Sequence, residues 1–174
     1  ALFESERTNI KTVDPVTNTL VPLGVQRTRG LELSFAGDLS QGWQIWSGYA
    51  YLLSEMTSSP AVDAGQAVEG KRATLTPKHS ANIWLTKALG HGFGAGGGIN
   101  YVGARFANPG NTVVLPGYTT LDAMAYYRLN NVDLQLKLNN ILDKRYIVAG
   151  HGSSPNLNLP GAPRSVQLVA RYRF

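Results

Sequence analysis

The sequence predicts an all-β chain, an antiparallel meander of about eight long strands, on three observations. Apolar and polar residues alternate with a period of two from end to end, and no stretch carries the i, i+3, i+4, i+7 spacing of an amphipathic helix. The links between alternating segments are short and long in turn. The segments run to roughly 10 to 14 residues, where strands of globular proteins average about 5 to 6.

Taken in order, the first strand is the weakest, somewhere in Phe3 to Thr12. The second sets Leu31, Leu33 and Phe35 against Glu32 and Ser34, and the third sets Trp43, Ile45, Tyr49, Tyr51 and Leu53 against Gln44, Gly48 and Ala50. In the fourth, Ala81, Ile83 and Leu85 oppose Ser80, Asn82 and Thr86, with Trp84 on the mostly polar side. The fifth alternates Phe93, Ala95, Ile99 and Tyr101 with Gly94, Gly96, Gly98 and Asn100. The sixth sets Leu121, Ala123, Ala125, Tyr127 and Leu129 against Thr120, Asp122 and Arg128, with Met124 and Tyr126 as impurities on the polar face. Val132, Leu134, Leu136 and Leu138 alternate without exception with Asp133, Gln135, Lys137 and Asn139. The last strand places Val166, Leu168, Ala170, Tyr172 and Phe174 on one face, and only Val169 breaks the polar row on the other.

Asp38 to Gly42, Leu89 to Gly92 and Asn130-Asn131 have the Gly, Asn and Asp content of tight hairpin turns. Asp14 to Pro22, Thr57 to Arg72, Asn108 to Val114 and Ala149 to Pro163 are the longer links. In a meander this alternation gathers every short turn at one end and every long loop at the other, the pattern of outer-membrane barrels.

No apolar run approaches the roughly 18 to 20 residues a membrane helix requires, but a barrel strand crosses with about 9 to 11. Tyr and Trp on the apolar face (Trp43, Tyr51, Tyr101, Tyr127, Tyr172) lie near strand ends, where amphipathic rings meet a membrane interface. The net charge of +5 comes from scattered basic residues, so a nucleic-acid partner is not expected. With no Cys there is no disulfide framework, thiolate nucleophile or zinc–cysteine site. The chain opens at Ala1 without an initiator Met, a basic n-region or an apolar h-region, and reads as a piece of a longer polypeptide whose export signal lies upstream or is absent.

Gly92 to Gly97 fits G-x-G-x-x-G in form, but no helix pattern follows to aim at a pyrophosphate. Inward glycines in a strand instead let another element pack close. His79, His91 and His151 are too widely spaced for a metal site, and no G-x-S-x-G elbow marks a hydrolase, so neither a resident cofactor nor catalysis is expected. Asp122, Asp133, Lys137, Arg128, Arg171 and Arg173 read as solvated or mutually paired residues of a polar face.

Gln26-Arg27-Thr28-Arg29-Gly30-Leu31-Glu32-Leu33, then Gly42-Trp43 and Tyr49-Ala50-Tyr51, resemble consecutive barrel strands of TonB-dependent siderophore receptors. Pro77-Lys78-His79-Ser80-Ala81, Tyr101-Val102-Gly103 with Arg105, and Leu115-Pro116-Gly117-Tyr118-Thr119 with Leu121-Asp122 continue the likeness in the same order. So do Asn139 through Tyr146, Gly161-Ala162-Pro163-Arg164 and Tyr172-Arg173-Phe174. The resemblance covers nearly the whole chain. It implies that residues 1–174 are the C-terminal portion of a transmembrane barrel of about 22 strands, with the plug domain absent. It further implies TonB-dependent uptake of ferric siderophores across a Gram-negative outer membrane, with iron entering inside its chelate. The partners it implies are outer-membrane lipid, the ferric siderophore, the plug and remaining strands, and TonB through the N-terminal part. The plug would be the neighbour of the inward glycines.

For ligand capture the resemblance implies Arg and aromatic residues on the long loops, and Arg72, Arg105, Phe106, Tyr146 and His151 lie there. Two other readings stay open. A self-contained eight-stranded barrel with a structural or adhesion role would close on itself. A soluble β-rich binding module would turn its apolar face inward and its polar face to water.

Overall fold

The computed structural model describes residues 1–152 and 157–174. Eight long strands, β1 Leu2–Val13, β2 Leu20–Asp38, β3 Trp43–Ser58, β4 His79–Gly90, β5 Phe93–Val102, β6 Tyr118–Leu129, β7 Val132–Asn139 and β8 Ser165–Tyr172, form one sheet. Each pairs antiparallel with its neighbours in sequence. The meander is therefore as expected, and from β2 onward the short turns and long loops sort to opposite ends as expected. His91-Gly92 joins β4 to β5 with φ of 50° and 82°, the positive pair that a two-residue hairpin turn needs to match strand twist.

The cross-strand register decides which residues share a face. Leu31, Tyr51 and His79 stand in one row, as do Tyr49, Ala81 and Tyr101, and Ala125, Leu136 and Leu168 in another. This apolar face is uncovered: Leu134, Leu136 and Leu138 are 39%, 42% and 37% exposed, while Asp133, Gln135 and Lys137 between them are half-buried. Among the described residues the buried hydrophobics are Val68, Ala107 and Leu115, all in the long loops, so the sheet packs no second layer on either face. A soluble module requires the reverse arrangement, and that reading is corrected. The order β1 to β8 ends in two edges rather than closing, which corrects the self-contained barrel as well. The inner strand β5 carries Gly94, Gly96 and Gly98, whose lack of side chains leaves too little volume to fill a barrel of eight strands.

The outer face also records membrane depth. Near the short turns stand Trp43, Phe93, Tyr127, Tyr172 and Phe174, with Phe93 on Tyr127 at 4.3 Å between ring centroids. Lys87, beside Trp43 in the register, lays its chain along that ring and donates to Gln41 O at 2.7 Å, carrying its charge out of the apolar band. Near the long loops stand Tyr49, Tyr51 and Tyr101, with Tyr49 Oη bonded to His79 Nδ1 at 2.8 Å. Beyond this second girdle the same face turns ionic: Arg29 meets Glu4 at 3.0 Å and Arg27 meets Glu6 at 3.3 Å. Two aromatic belts around an apolar band, with charges outside them, is the outward face of a membrane barrel.

Two expectations change in detail. β2 begins at Leu20, well before Leu31, and the link from β1 is a tight turn, because Asp14 Oδ1 accepts from the Val16 and Thr17 amides and closes the chain. Alternation fails over that stretch because the strand stands above the apolar band, where Arg27 and Arg29 replace the outward apolar residues. The inward glycines of β5 are covered from within the sheet: a Cβ at Gly98 would enter the Trp84 ring and one at Gly94 the Tyr126 ring.

Candidate functional site

The packed part of the molecule is the long-loop end, where the β3–β4, β5–β6 and β7–β8 connections brace one another. Small two-stranded ladders stiffen them: Val62–Asp63 with Gln66–Ala67, Arg105–Phe106 with Val114–Leu115, and Ile147–Gly150 with Asn158–Pro160.

Asn108 organises the first seam. It is 0% exposed; its Oδ1 accepts from the Thr112 and Val113 amides at 3.1 and 2.9 Å, and its Nδ2 donates to Thr112 Oγ1 and Asp63 Oδ2. Gly110 N donates to the same Asp63 oxygen at 2.8 Å, and a side chain at Gly110 would strike the Asp63 carbonyl. Asn111 joins the same loops by imitating a strand: its Oδ1 accepts from Arg72 N at 2.8 Å and its Nδ2 donates to Arg72 O at 3.0 Å. Every polar atom of the buried Asn108 amide is thus engaged, as burial of such a group demands.

The second seam is Arg105. Only 3% exposed, it donates from Nη2 to the Ile147 and Val148 carbonyls of the β7–β8 connection and stands 5.4 Å over the Tyr118 ring. Tyr118 in turn lies 4.1 Å from Tyr146. Burial pushes the Tyr146 hydroxyl up from its ordinary value, Tyr118 and Asp122 push the same way, and hydrogen bonding with the Ala162 backbone opposes them. Asn140, 4% exposed, ties the run from Asn140 to Tyr146 into a knot: it receives Lys144 N, donates to the Lys144 and Ala162 carbonyls, and gives its own amide to Asp122. On the inner side these residues leave a groove of about 320 Å³ walled by Tyr118, Tyr146, Asp122, Thr120 and Asn100.

Of the five sequence candidates, the structure pairs Arg72 with Phe106 (5.4 Å, charge over ring) and joins Arg105 to Tyr146 through Tyr118. His151 stands apart and exposed, and the neighbouring residues 153–156 of the expected Ala149 to Pro163 link lie outside the described residues. Arg105 is committed to carbonyls, so its first role is to hold two loops together. Sequence reasoning missed Asp63, Asn108, Asn111, Tyr118 and Asn140. Asn108-Pro109-Gly110-Asn111 signals a turn, but its partners Asp63 and Arg72 lie 45 and 39 residues away.

The arrangement sets the half-buried Arg72 guanidinium and aromatic rings near a polar inner wall, a chemistry suited to planar anions. The family model of the TonB dependent receptor-like β-barrel matches residues 1–141. The probable TonB-dependent siderophore receptor PiuA of Acinetobacter baumannii is 32% identical over all of this chain and 24% of its own length. The ferrioxamine receptor of Yersinia enterocolitica is 30% identical, again over all of this chain and 24% of its own. Among solved structures, that of PiuA superposes with a TM-score of 0.85 at 31% identity over 98% of this chain and 25% of the other. BauA, the ferric preacinetobactin receptor of A. baumannii, gives 0.76 at 27% identity over 98% and 26%. The chain spans about a quarter of the relatives it matches. It belongs to the TonB-dependent receptor family, as a stretch of that family's transmembrane β-barrel.

Proposed function

We propose that residues 1–174 are the C-terminal stretch of an outer-membrane barrel of about 22 strands that takes up ferric siderophores in a Gram-negative bacterium. The remaining strands pair with the edges of β1 and β8, because unpaired strand edges in hydrocarbon cost several kcal/mol per backbone group. A plug domain fills the lumen, and TonB drives release through the N-terminal part of the full protein. Iron is cargo, enclosed in its chelate, so the protein supplies no metal ligands.

The observation that carries this reading is the inverted polarity of the sheet together with its braced loop end: leucines outward, a polar wall inward, and three connections locked into one body above the aromatic belt. The relatives are receptors named for siderophores. Arg72 over Phe106 and Tyr118 against Tyr146 present a charged fork and stacking faces to an anionic, aromatic iron chelate. Loops fixed before binding lose little conformational entropy on capture.

The test is uptake of a radio-iron chelate by cells carrying the full-length gene as their sole receptor for it. Import abolished by deleting the gene or collapsing the proton-motive force is expected, with the protein floating with outer-membrane lipid. Undiminished import in the deletion, or recovery of the product as a detergent-free soluble monomer, overturns the reading.

A further inference from the structure

The outward face of the sheet carries an isolated charge. Between the row of Tyr49 and the short turns, Lys87 is the one charged residue on that face among the described residues. Its ammonium reaches the level of the short turns, where Gln41 O takes one of its three donors. No carboxylate pairs with it among the described residues. Asp38, in the adjoining turn, stands in register with Gln44 on the other face and is held by the Gln44 amide at 2.7 Å. Lys87 therefore turns two donors and an uncompensated charge toward the headgroup layer.

Beside Lys87 the same face is hollow. Ala95 is its neighbour in register and Ala125 follows on β6, while one row toward the long loops Gly97 and Ala123 stand together. Leu85 on β4 walls these four residues on one side, and Leu136 and Leu138 on β7 wall them on the other. The walls are three strand spacings apart, about 14 Å at roughly 4.8 Å per strand. Packing within the sheet does not require the hollow: a Cβ on Gly97 would meet only the Asp122 carbonyl at 3.3 Å, unlike those on Gly94 and Gly98. The lumen lies on the opposite side of the sheet, and β4 to β7 each have both strand neighbours, so what meets this surface is the membrane. In hydrocarbon, apolar surfaces gain nothing from hydrophobicity alone, and a molecule is retained by packing and by its polar contacts.

We infer that Lys87 and the hollow floored by Ala95, Gly97, Ala123 and Ala125 hold one anionic phospholipid of the periplasmic leaflet, its phosphate on the lysine and an acyl chain across the small residues. Charge complementarity selects the headgroup. A zwitterionic phospholipid brings its own ammonium to the phosphate and gains less from Lys87, whereas an anionic one has no internal cation. A second copy of this chain docked on the hollow would bury Lys87 against apolar residues without an acid, at a cost that packing must overcome. The site lies on the outside of the wall and does not depend on which cargo passes inside it.

The experiment titrates the full-length receptor, stripped of lipid in detergent, with dioleoylphosphatidylglycerol or dioleoylphosphatidylethanolamine and counts bound lipid by native mass spectrometry. Wild type is expected to hold one phosphatidylglycerol in preference to phosphatidylethanolamine. Lys87→Gln is expected to weaken phosphatidylglycerol about five-fold, the contribution of one lysine beside an anionic headgroup, and to erase the preference, while Lys87→Arg keeps most of both. Ala125→Leu raises the floor without touching the charge and is expected to weaken the two lipids alike. Equal retention of phosphatidylglycerol by wild type, Lys87→Gln and Ala125→Leu overturns the site, as does a wild type that does not distinguish the lipids. A lipid-free dimer that Ala125→Leu dissociates also overturns it, because the hollow then seats a second copy. Each of these failures leaves the uptake reading intact, since none of them measures import of the iron chelate.

Discussion

Asp63 and Asn108, 45 residues apart in sequence, meet where two loops close: the Asn108 amide and the Gly110 N–H both donate to one Asp63 carboxylate oxygen. Neither loop has a strand partner in the main sheet there, so side chains make the connection that backbone ladders make below. Asn108→Ala takes this partner from the Thr112 and Val113 amides and from Asp63, all of them exposed or half-buried, and is expected to cost about 1 to 3 kcal/mol in all. In the full-length receptor, amide exchange over residues 59–78 and 103–117 is expected to accelerate while the strands keep their protection. Unchanged exchange in the loops would show that the seam does not hold them.

Neighbouring glycines on opposite faces of β5 predict a contrast, Gly98 facing the lumen and Gly97 facing outward. A Cβ at Gly98 meets the Trp84 ring and the Ile83 carbonyl, whereas one at Gly97 meets only the Asp122 carbonyl at 3.3 Å. Gly98→Val is expected to destabilise the barrel by about 1 to 3 kcal/mol through overpacking, and Gly97→Ala to be nearly silent. Heat-modified mobility on gels reads both, and equal behaviour of the two variants refutes the close packing.

What the residues disclosed in advance, and what they withheld, follows the range of the interactions. Val132 to Asn139 declared its two faces outright because strand alternation is a local rule, and Leu136 is outward as that rule requires. Trp84, Met124 and Tyr126 looked like impurities of the polar rows, and only the register, which puts glycines opposite them, explains their place. Phe3 to Thr12 was faint because its outward residues include Glu4 and Glu6, paired to arginines beyond the apolar band. The loop braces were illegible: nothing near Asn108 announces Asp63, and nothing near Arg105 announces the carbonyls of Ile147 and Val148.

The polarity of β7 predicts opposite responses to one charge. Leu136 faces outward and Gln135 inward on adjacent positions. Leu136→Arg is expected to cost about 2 to 4 kcal/mol near the bilayer midplane, and Gln135→Arg to cost far less. Equilibrium unfolding of the refolded full-length barrel in lipid vesicles measures both, and a larger loss for Gln135→Arg would reverse the assignment of faces.

Tyr146 predicts an alkaline effect. Its folded pKa is raised above the ordinary 10.0, mainly by burial. The stability linked to its neutral form is therefore complete below the unfolded value and is lost as pH rises through the folded one, because the unfolded chain releases the proton first. Tyr146→Phe is expected to remove a component ionising above the ordinary tyrosine range from the tyrosinate absorbance titration and to flatten this part of the alkaline stability loss. An unaltered titration in Tyr146→Phe would contradict it.

Arg72 and Arg105 each stand over an aromatic ring, yet their surroundings assign them different work. Arg105 is buried and gives two hydrogen bonds to the carbonyls of another connection, so Arg105→Ala removes a brace and strips partners from Ile147 and Val148. Arg72 is only half-buried, and its guanidinium gives one bond, to Thr76 O within its own connection, at 3.1 Å. Its seam with Asn111 runs through the backbone and survives truncation of the side chain. Arg72→Ala is therefore expected to weaken binding of an anionic iron chelate about ten-fold, the scale of one lost charge–ring contact, with loop exchange unchanged. Arg105→Ala is expected to accelerate exchange of the β5–β6 and β7–β8 connections first, and to weaken binding only as a consequence. Paired measurements of chelate affinity and amide exchange on the two full-length variants separate these roles, and a swap of the two signatures would assign capture to Arg105 and support to Arg72.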